Sequence, residues 1–318
     1  MSAVIELNKL EKYFSTPRGM LHAVDGVTLK IEAGKTMGVV GESGCGKSTL
    51  GRTIIHLQES TGGQILFKGK DVTHVKGAQL NELRSNMQII FQDPYSSLNP
   101  RMTVEQTVRE PLALSRRYSK SEIDHEVGQL MELVGIDFRM RTAYPHELDG
   151  GRRQRVGIAR AIALNPAFVV CDEPVSALDV SIQAQVLNLL QDLQKKRGIT
   201  YMFVTHDLSV VRHISDDICV MYLGQLVETS PSKELFREPL HPYTKALLSA
   251  IPSTDIHNPH KRIVLKGEIT SPINPKPGCR FAARCPYAAE ACHQPQNLEE
   301  IQPNHFVSCC RCRELNGL

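Results

Sequence analysis

Nine consecutive residues, Gly41-Glu42-Ser43-Gly44-Cys45-Gly46-Lys47-Ser48-Thr49, have the types and spacing of a phosphate-binding loop, G-x-x-x-x-G-K-[ST]. Its glycines let the backbone curl until N–H groups converge on phosphate oxygens at a helix N-terminus. In that pattern Lys47 reaches the β- and γ-phosphates and the Ser48 hydroxyl holds Mg²⁺. A second chemical group is Asp172-Glu173, two acids ending the apolar run Phe168-Val169-Val170-Cys171. A strand capped by acids is a weak signal alone. Paired with a phosphate loop it places Asp172 at the Mg²⁺ and Glu173 one residue further out, near an attacking water. The N-K-x-D pattern of a guanine-specific site is missing, which favours an adenine nucleotide.

The surrounding elements suit these roles. The apolar run 37–40 reads as a buried strand before the loop, and 50–57 as a helix after it. Residues 4–10 and 26–31 alternate like strands, with Tyr13, Phe14 and a polar loop at 15–19 between them. Residues 64–68 and 86–92 read as further strands, and 78–84 as a helix. Between 100 and 164 helical spacing takes over, at 103–114, 120–134 and 151–163, as in an α-helical insert within an α/β core. Strands are expected at 168–171 and 199–204, a helix at 179–196 closed by Gly198, and a hairpin at 217–229 around Gly224. Beyond Pro231 the chain turns rich in Pro, Asn and His; 241–251 reads as a helix and 252–260 as a linker.

At 318 residues the chain can hold one large domain and an appendage. A net charge of +3 gives no argument for nucleic acid as a partner. No apolar run approaches the roughly 20 residues that span a bilayer, and the N-terminus lacks the build of a signal peptide. A cytosolic protein attached to membrane only through partners is therefore expected. Of nine cysteines, Cys45, Cys171 and Cys219 are scattered and six crowd into 279–312. In a reducing compartment such a cluster suggests metal rather than disulfides. The set Cys279, Cys285, Cys292 and Cys309, spaced C-x₅-C-x₆-C-x₁₆-C, leaves zinc, an iron–sulfur cluster and free thiols all open.

Four more pieces carry a family resemblance. Gln92 follows an apolar strand, Leu148-Asp149-Gly150-Gly151-Arg152 opens a helix, Ser176-Ala177-Leu178-Asp179 follows the acids, and His206 ends a strand. Singly, Gln92 reads as a strand-end polar residue and His206 as a surface or core histidine. In this order they resemble the Q-loop, signature, D-loop and switch histidine of ABC-transporter ATPase subunits over residues 4–229. The resemblance implies an α/β P-loop NTPase core of ABC-ATPase type with an inserted α-helical subdomain and a small Cys-rich C-terminal extension. The ATPase domain would span 1–235 (core 1–93 and 165–235, helical subdomain 94–164) and the extension 236–318. Phe14, or alternatively Tyr13, would stack on adenine. Gly41, Ser43, Gly44, Cys45, Gly46, Lys47, Ser48 and Thr49 would wrap the phosphates. Ser48, Gln92 and Asp172 would hold Mg²⁺, Glu173 act as general base, and His206 contact the γ-phosphate. A partner's ATP would meet Asp149, Gly150 and Gly151.

Phe91-Gln92-Asp93-Pro94-Tyr95-Ser96-Ser97-Leu98-Asn99-Pro100, His241-Pro242-Tyr243-Thr244 and Gly278-Cys279-Arg280-Phe281 with Arg284-Cys285-Pro286 resemble the dipeptide and oligopeptide permease group, including its nickel relatives. That implies ATP hydrolysis driving peptide import, with a nickel or sugar importer as alternative. It also implies a second ABC ATPase subunit, two transmembrane permease subunits, an extracytoplasmic solute-binding protein, and a peripheral place on the cytoplasmic face of the inner membrane. The group's extension can carry a [4Fe–4S] cluster, which favours that cofactor on Cys279, Cys285, Cys292 and Cys309 over zinc; Cys310 and Cys312 compete for the fourth position. A soluble ABC ATPase is the weaker alternative, because the usual second cassette or coiled-coil insertion is missing. Most members of the family have Leu-Ser-Gly-Gly-Gln at the signature. Here ionised Asp149, which only accepts hydrogen bonds, replaces a serine donor. Two like charges at about 4 Å repel by about 4 kcal/mol at an effective dielectric near 20, and Arg152 would offset part of this. A pair of unequal ATP sites is the expectation.

Overall fold

The computed structural model describes residues 2–251, 262–268 and 270–318. The segment 252–260, read above as a linker, lies outside the described residues.

Two long strands, β1 (Ala3–Thr16) and β2 (Gly19–Glu32), precede the buried strand β3 (Thr36–Val40) and helix α1 (Lys47–Ile54). The chain continues through β4 (Gly62–Phe67), β5 (Lys70–Asp71), α2 (Gly77–Asn86) and β6 (Met87–Ile90). Four helices follow: α3 (Pro94–Ser97), α4 (Val104–Ser115), α5 (Lys120–Leu133) and α6 (Gly150–Ile162). Next come β7 (Phe168–Asp172), α7 (Val180–Arg197), β8 (Thr200–Val204), α8 (Leu208–Ile214), β9 (Asp217–Tyr222) and β10 (Gln225–Pro231). The end of the chain forms α9 (Ser232–Arg237), α10 (Pro242–Ser249), β11 (Glu299–Gln302), β12 (His305–Val307) and α11 (Cys312–Asn316).

Packing divides the chain into two compact units. One comprises Met1–Val4, Glu32–Lys35 and His74–Met202, the other Ile5–Ile31, Thr36–Thr73 and Phe203–Leu318. In the first unit β6 and β7 pair in parallel, Met87 with Phe168 through Ile90 with Cys171. Its helices start where capping residues satisfy free N–H groups. Thr103 and Ser119 form capping boxes with Gln106 and Glu122, and Asp179 caps α7 at the Ile182 amide. Helix α7 stops at Gly198, which takes the left-handed conformation (φ 65°). Across this unit the Arg160 guanidinium donates to the Ser97 carbonyl at 2.6 Å, and Arg155 to that of Val134 at 2.7 Å.

In the second unit one sheet runs β2-β1-β4-β5, and a second has the neighbours β11-β12-β10-β9-β3. Strand β3 pairs in parallel with β9, and all five of its residues are buried, as an apolar run without alternation should be. The core around it joins Val40, Val220, Tyr222, Tyr243 and Phe281, so the strand leading to the phosphate loop shares its core with residues more than 200 positions downstream. Among the described residues no helix is long and apolar enough to cross a membrane.

Glu228 on β10 is fully buried, and it is satisfied. Its carboxylate accepts from the amides of Leu240 and His241 at 2.7 and 2.9 Å, and lies 2.7 Å from the His305 ring. His241 caps α10 by accepting the Tyr243 amide on Nδ1 at 3.0 Å. Burial pushes the His241 pKa down to about 4, outweighing the opposing pull of Glu228. The unfolded chain therefore binds a proton near pH 6.5 that the folded chain refuses until about pH 4. Stability falls as pH drops from about 6.5 towards 4, by up to about 3 kcal/mol from this residue. His241→Asn keeps a capping oxygen and does not titrate. Chemical denaturation of wild type and variant at pH 7.5 and 5 should show a smaller acid loss in the variant.

Candidate functional site

The phosphate loop connects β3 to α1. Ser43 and Gly44 stand exposed at its tip, while Lys47 is buried and points back under it. The Lys47 ammonium donates to the carbonyls of Gly41 and Glu42 at 2.8 and 3.0 Å. Two glycines are required by geometry. Gly41 has φ 153° and Gly46 φ 105°, and a Cβ on them would lie 2.2 Å from the Met221 carbonyl oxygen and 2.0 Å from that of Ala23. This is a cradle that side chains would fill, with a buried cation beneath it, and it fits a polyphosphate. Ser48 and Thr49 stand in the first turn of α1. The Cys45 thiol is buried in the loop, and burial pushes its pKa up. The Cys45 carbonyl accepts the Gly224 amide at 2.8 Å, which ties the loop to the β9–β10 turn.

The acids sit at the end of β7. Asp172 is buried, and Glu173 takes φ +48°, a left-handed conformation that a non-glycine residue adopts at a cost of order 1–3 kcal/mol. Gln92, just past β6, donates to the Glu173 carboxylate at 3.0 Å, so these two are brought together. The Ser176 hydroxyl donates to the Glu173 carbonyl at 3.1 Å and helps hold the strained turn. Asp149 is the N-cap of α6, which Gly150 and Gly151 open. Its carboxylate accepts the Arg152 amide at 2.7 Å and lies 3.5 Å from the Arg152 guanidinium. His206 is exposed between β8 and α8. Tyr13 stacks on His22 with ring centroids 4.0 Å apart and donates its hydroxyl to Asp25; burial and that acid raise its pKa. Phe14 has the Lys12 ammonium 4.9 Å from its ring centroid.

Several residues around the loop were not singled out by sequence reasoning. The Glu42 amide donates to the Tyr243 hydroxyl at 3.0 Å, and the Arg284 guanidinium grips the Glu42 carboxylate with bonds of 2.7 and 3.1 Å. Arg280 donates to the Leu223 carbonyl and to Asp25. Tyr243, Arg280 and Arg284 lie within the motifs that carried the permease resemblance, and that was the available signal.

The expected [4Fe–4S] cluster, and zinc as its alternative, must be corrected. Among the described residues no group of three or more His, Cys, Asp or Glu side chains is placed to hold a metal ion. Four of the thiols serve as apolar packing instead. Cys279 and Cys285 lie against the Tyr222, Tyr243 and Phe281 core. Cys312 packs with Leu240 and Val307, with Cys309 alongside. Cys292 has Cys310 as its sulfur neighbour at 3.9 Å. Burial pushes Cys279 up to about 11 and Cys309 to about 12, and raises Cys285, Cys310 and Cys312.

Comparison with known proteins agrees with the loop and the chain's end. The ABC transporter family profile matches residues 24–176, and the profile of the oligopeptide/dipeptide transporter C-terminal region matches 227–292. The chain is 50% identical over 317 residues to the oligopeptide transport ATP-binding protein AppF of Bacillus subtilis, covering 96% of each chain. It is 49% identical to OppF, the protein of the same description in Salmonella typhimurium, covering 96% of this chain and 92% of the other. Among solved structures it is similar to cbiO1 of Clostridium perfringens, described as part of an ABC transporter complex. That match has a TM-score of 0.67 and 28% identity, over 75% of this chain and 92% of the other. An ATP-binding cassette solved as a dimer with ADP and Pi in a post-hydrolysis state matches at TM-score 0.66 and 28% identity, over 72% and 98%.

Gly46→Ala tests the cradle. The methyl group would meet the Ala23 carbonyl oxygen, and φ 105° strains any L side chain. The expected result is a stability loss of about 2 kcal/mol or more and loss of ATP binding, read by thermal melting with and without Mg·ATP.

Proposed function

The chain belongs to the ABC transporter family of ATP-binding proteins, and we propose that it is the ATP-hydrolysing subunit of an importer of oligopeptides or dipeptides. The observation that carries the ATPase reading is Lys47, buried under a positive-φ glycine loop at the start of α1. The peptide reading rests on relatives at about half identity whose descriptions name oligopeptide transport, and on the C-terminal region match at 227–292. Nickel and sugar alternatives have no comparable support.

In this reading Lys47 exchanges its carbonyl partners for phosphate oxygens as ATP enters, and loop amides meet the rest of the polyphosphate. Phe14 stacks on adenine, with Tyr13 set back against His22 and Asp25. Ser48, Gln92 and Asp172 would hold Mg²⁺, which would supply charge neutralisation of the polyphosphate. Glu173, aimed by its bond from Gln92, takes the proton of the attacking water, and His206 contacts the γ-phosphate. The helical stretch 94–164 acts as an inserted subdomain and 236–318 as the Cys-rich extension of an ATPase domain spanning 1–235. The partners are a second ABC ATPase subunit, two transmembrane permeases and, through them, an extracytoplasmic solute-binding protein. The chain works peripherally at the cytoplasmic face of the inner membrane.

Glu173→Gln preserves shape but cannot accept the proton. It should retain ATP binding and lower turnover of the assembled transporter by about a hundredfold or more. Wild-type turnover would sink the general-base role.

The pair of ATP sites is unequal in this reading. The Asp149 carboxylate already occupies the Arg152 amide and adds negative charge where a partner's phosphate would approach. Blocking the general base in each ATPase subunit separately should cost unequal shares of ATP turnover, and Asp149→Ser should narrow the difference. Equal losses from the two single variants would refute the asymmetry.

A further inference from the structure

Glu42, the second residue of the phosphate loop, is held on three sides. Its carbonyl accepts the Lys47 ammonium at 3.0 Å, and its amide donates to the Tyr243 hydroxyl at 3.0 Å. Its carboxylate receives both Nη groups of Arg284 at 2.7 and 3.1 Å. Two of the three partners come from beyond residue 240, in the part of the chain furthest in sequence from the loop.

Arg284 is built into place. Its side chain is 9% exposed, and the guanidinium lies 6.0 Å from the Tyr222 ring centroid and 3.4 Å from that residue's hydroxyl. It follows Phe281, which is buried against Tyr222 and Tyr243 with ring centroids 5.3 Å from each. A second arginine of the same turn, Arg280, reaches the Leu223 carbonyl and Asp25, the acid bonded to Tyr13. The turn 279–285 thus presents two arginines to the two places where sequence motifs locate nucleotide chemistry.

A carboxylate inside a loop that receives a polyphosphate opposes its ligand unless it is neutralised. A two-pronged arginine neutralises it and also fixes the direction of its peptide, which a single point charge does less well. We propose that Arg284 is a positioning residue for nucleotide binding: through Glu42 it sets the phosphate loop and removes a charge that would repel ATP. The C-terminal extension is then part of the nucleotide site's support, and nucleotide affinity depends on the extension being folded in place. This rests on the reading of residues 41–49 as the ATP site.

The test uses the full chain assembled with its permeases, and reads KM for ATP and kcat separately. Arg284→Met keeps the apolar stem against Tyr222 and removes the fork. It should raise KM about tenfold with kcat within about twofold, equivalent to about 1.4 kcal/mol of binding. Adding Glu42→Gln to Arg284→Met should bring KM back to within about threefold of wild type, because no bare carboxylate remains. Arg284→Lys, which keeps the charge and loses the fork, should fall between wild type and Arg284→Met. A KM unchanged in Arg284→Met, with its melting temperature intact, would overturn the proposal. So would a double variant no better than the single, since a merely structural loss would not be relieved by neutralising Glu42. Absence of ATP turnover in the wild-type complex would count against the ATPase reading itself, separately from these outcomes.

Discussion

Much of the second unit depends on the contact among Tyr222, Tyr243 and Phe281. The rings meet edge-on or tilted at centroid distances of 4.7–5.3 Å, the geometry in which aromatic quadrupoles attract. Tyr222 ends the strand beside β3, Tyr243 opens α10 and Phe281 lies in the turn 279–285. One cluster therefore joins the strand that delivers the phosphate loop to two segments far away in sequence. Losing such a ring from a fully buried position costs about 3–5 kcal/mol, and the hydroxyl of Tyr243 adds a loop contact that phenylalanine could not make. Glu228 plays the polar counterpart lower on the same sheet. Its buried carboxylate is tolerable only because two amides and a histidine ring saturate it.

Conformational cost is visible at the phosphate loop and at the end of β7. Gly41 and Gly46 need backbone angles that side chains resist, and carbonyl oxygens sit where their Cβ atoms would be. Glu173 takes a left-handed angle without being glycine, held by its neighbours Gln92 and Ser176. The ordinary capping and packing elsewhere, such as the two capping boxes on α4 and α5, offsets these local losses.

Most elements were legible because their periodicity was clean. The apolar run of β3, the acid-ended β7 and the Gly198-terminated α7 all follow the sequence reading. The first hairpin was less so. Lys9 has φ +47° and the register against β4 shifts between Asn8 and Glu11, so alternation breaks and the second half of β1 reads as loop. Helix α8 is only seven residues, too short for a helical period, although Asp207 caps it at the Ser209 amide. Hairpin β11–β12 carries mostly polar residues and pairs at an edge, which leaves no apolar signature. The cysteines misled for a chemical reason. Cysteine is both a ligand and a small apolar residue, and spacing cannot tell the two apart. Burial beside Phe281 or Val307 can be seen only in three dimensions.

The start of α6 shows what an acid does as a helix cap. A helix N-terminus offers free N–H groups and a positive dipole end, and something must satisfy them. Serine or aspartate does this about equally well for the helix. Aspartate differs in bringing a full negative charge to the spot and in having no proton to donate. Here the carboxylate takes the Arg152 amide and draws the Arg152 guanidinium towards itself, and both side chains remain more than half exposed. Solvent screening at that exposure keeps the ion pair weak, so Arg152 is free to turn to a stronger anion. Aspartate at this position thus leaves the helix capped and sets an exposed arginine beside the carboxylate at its tip.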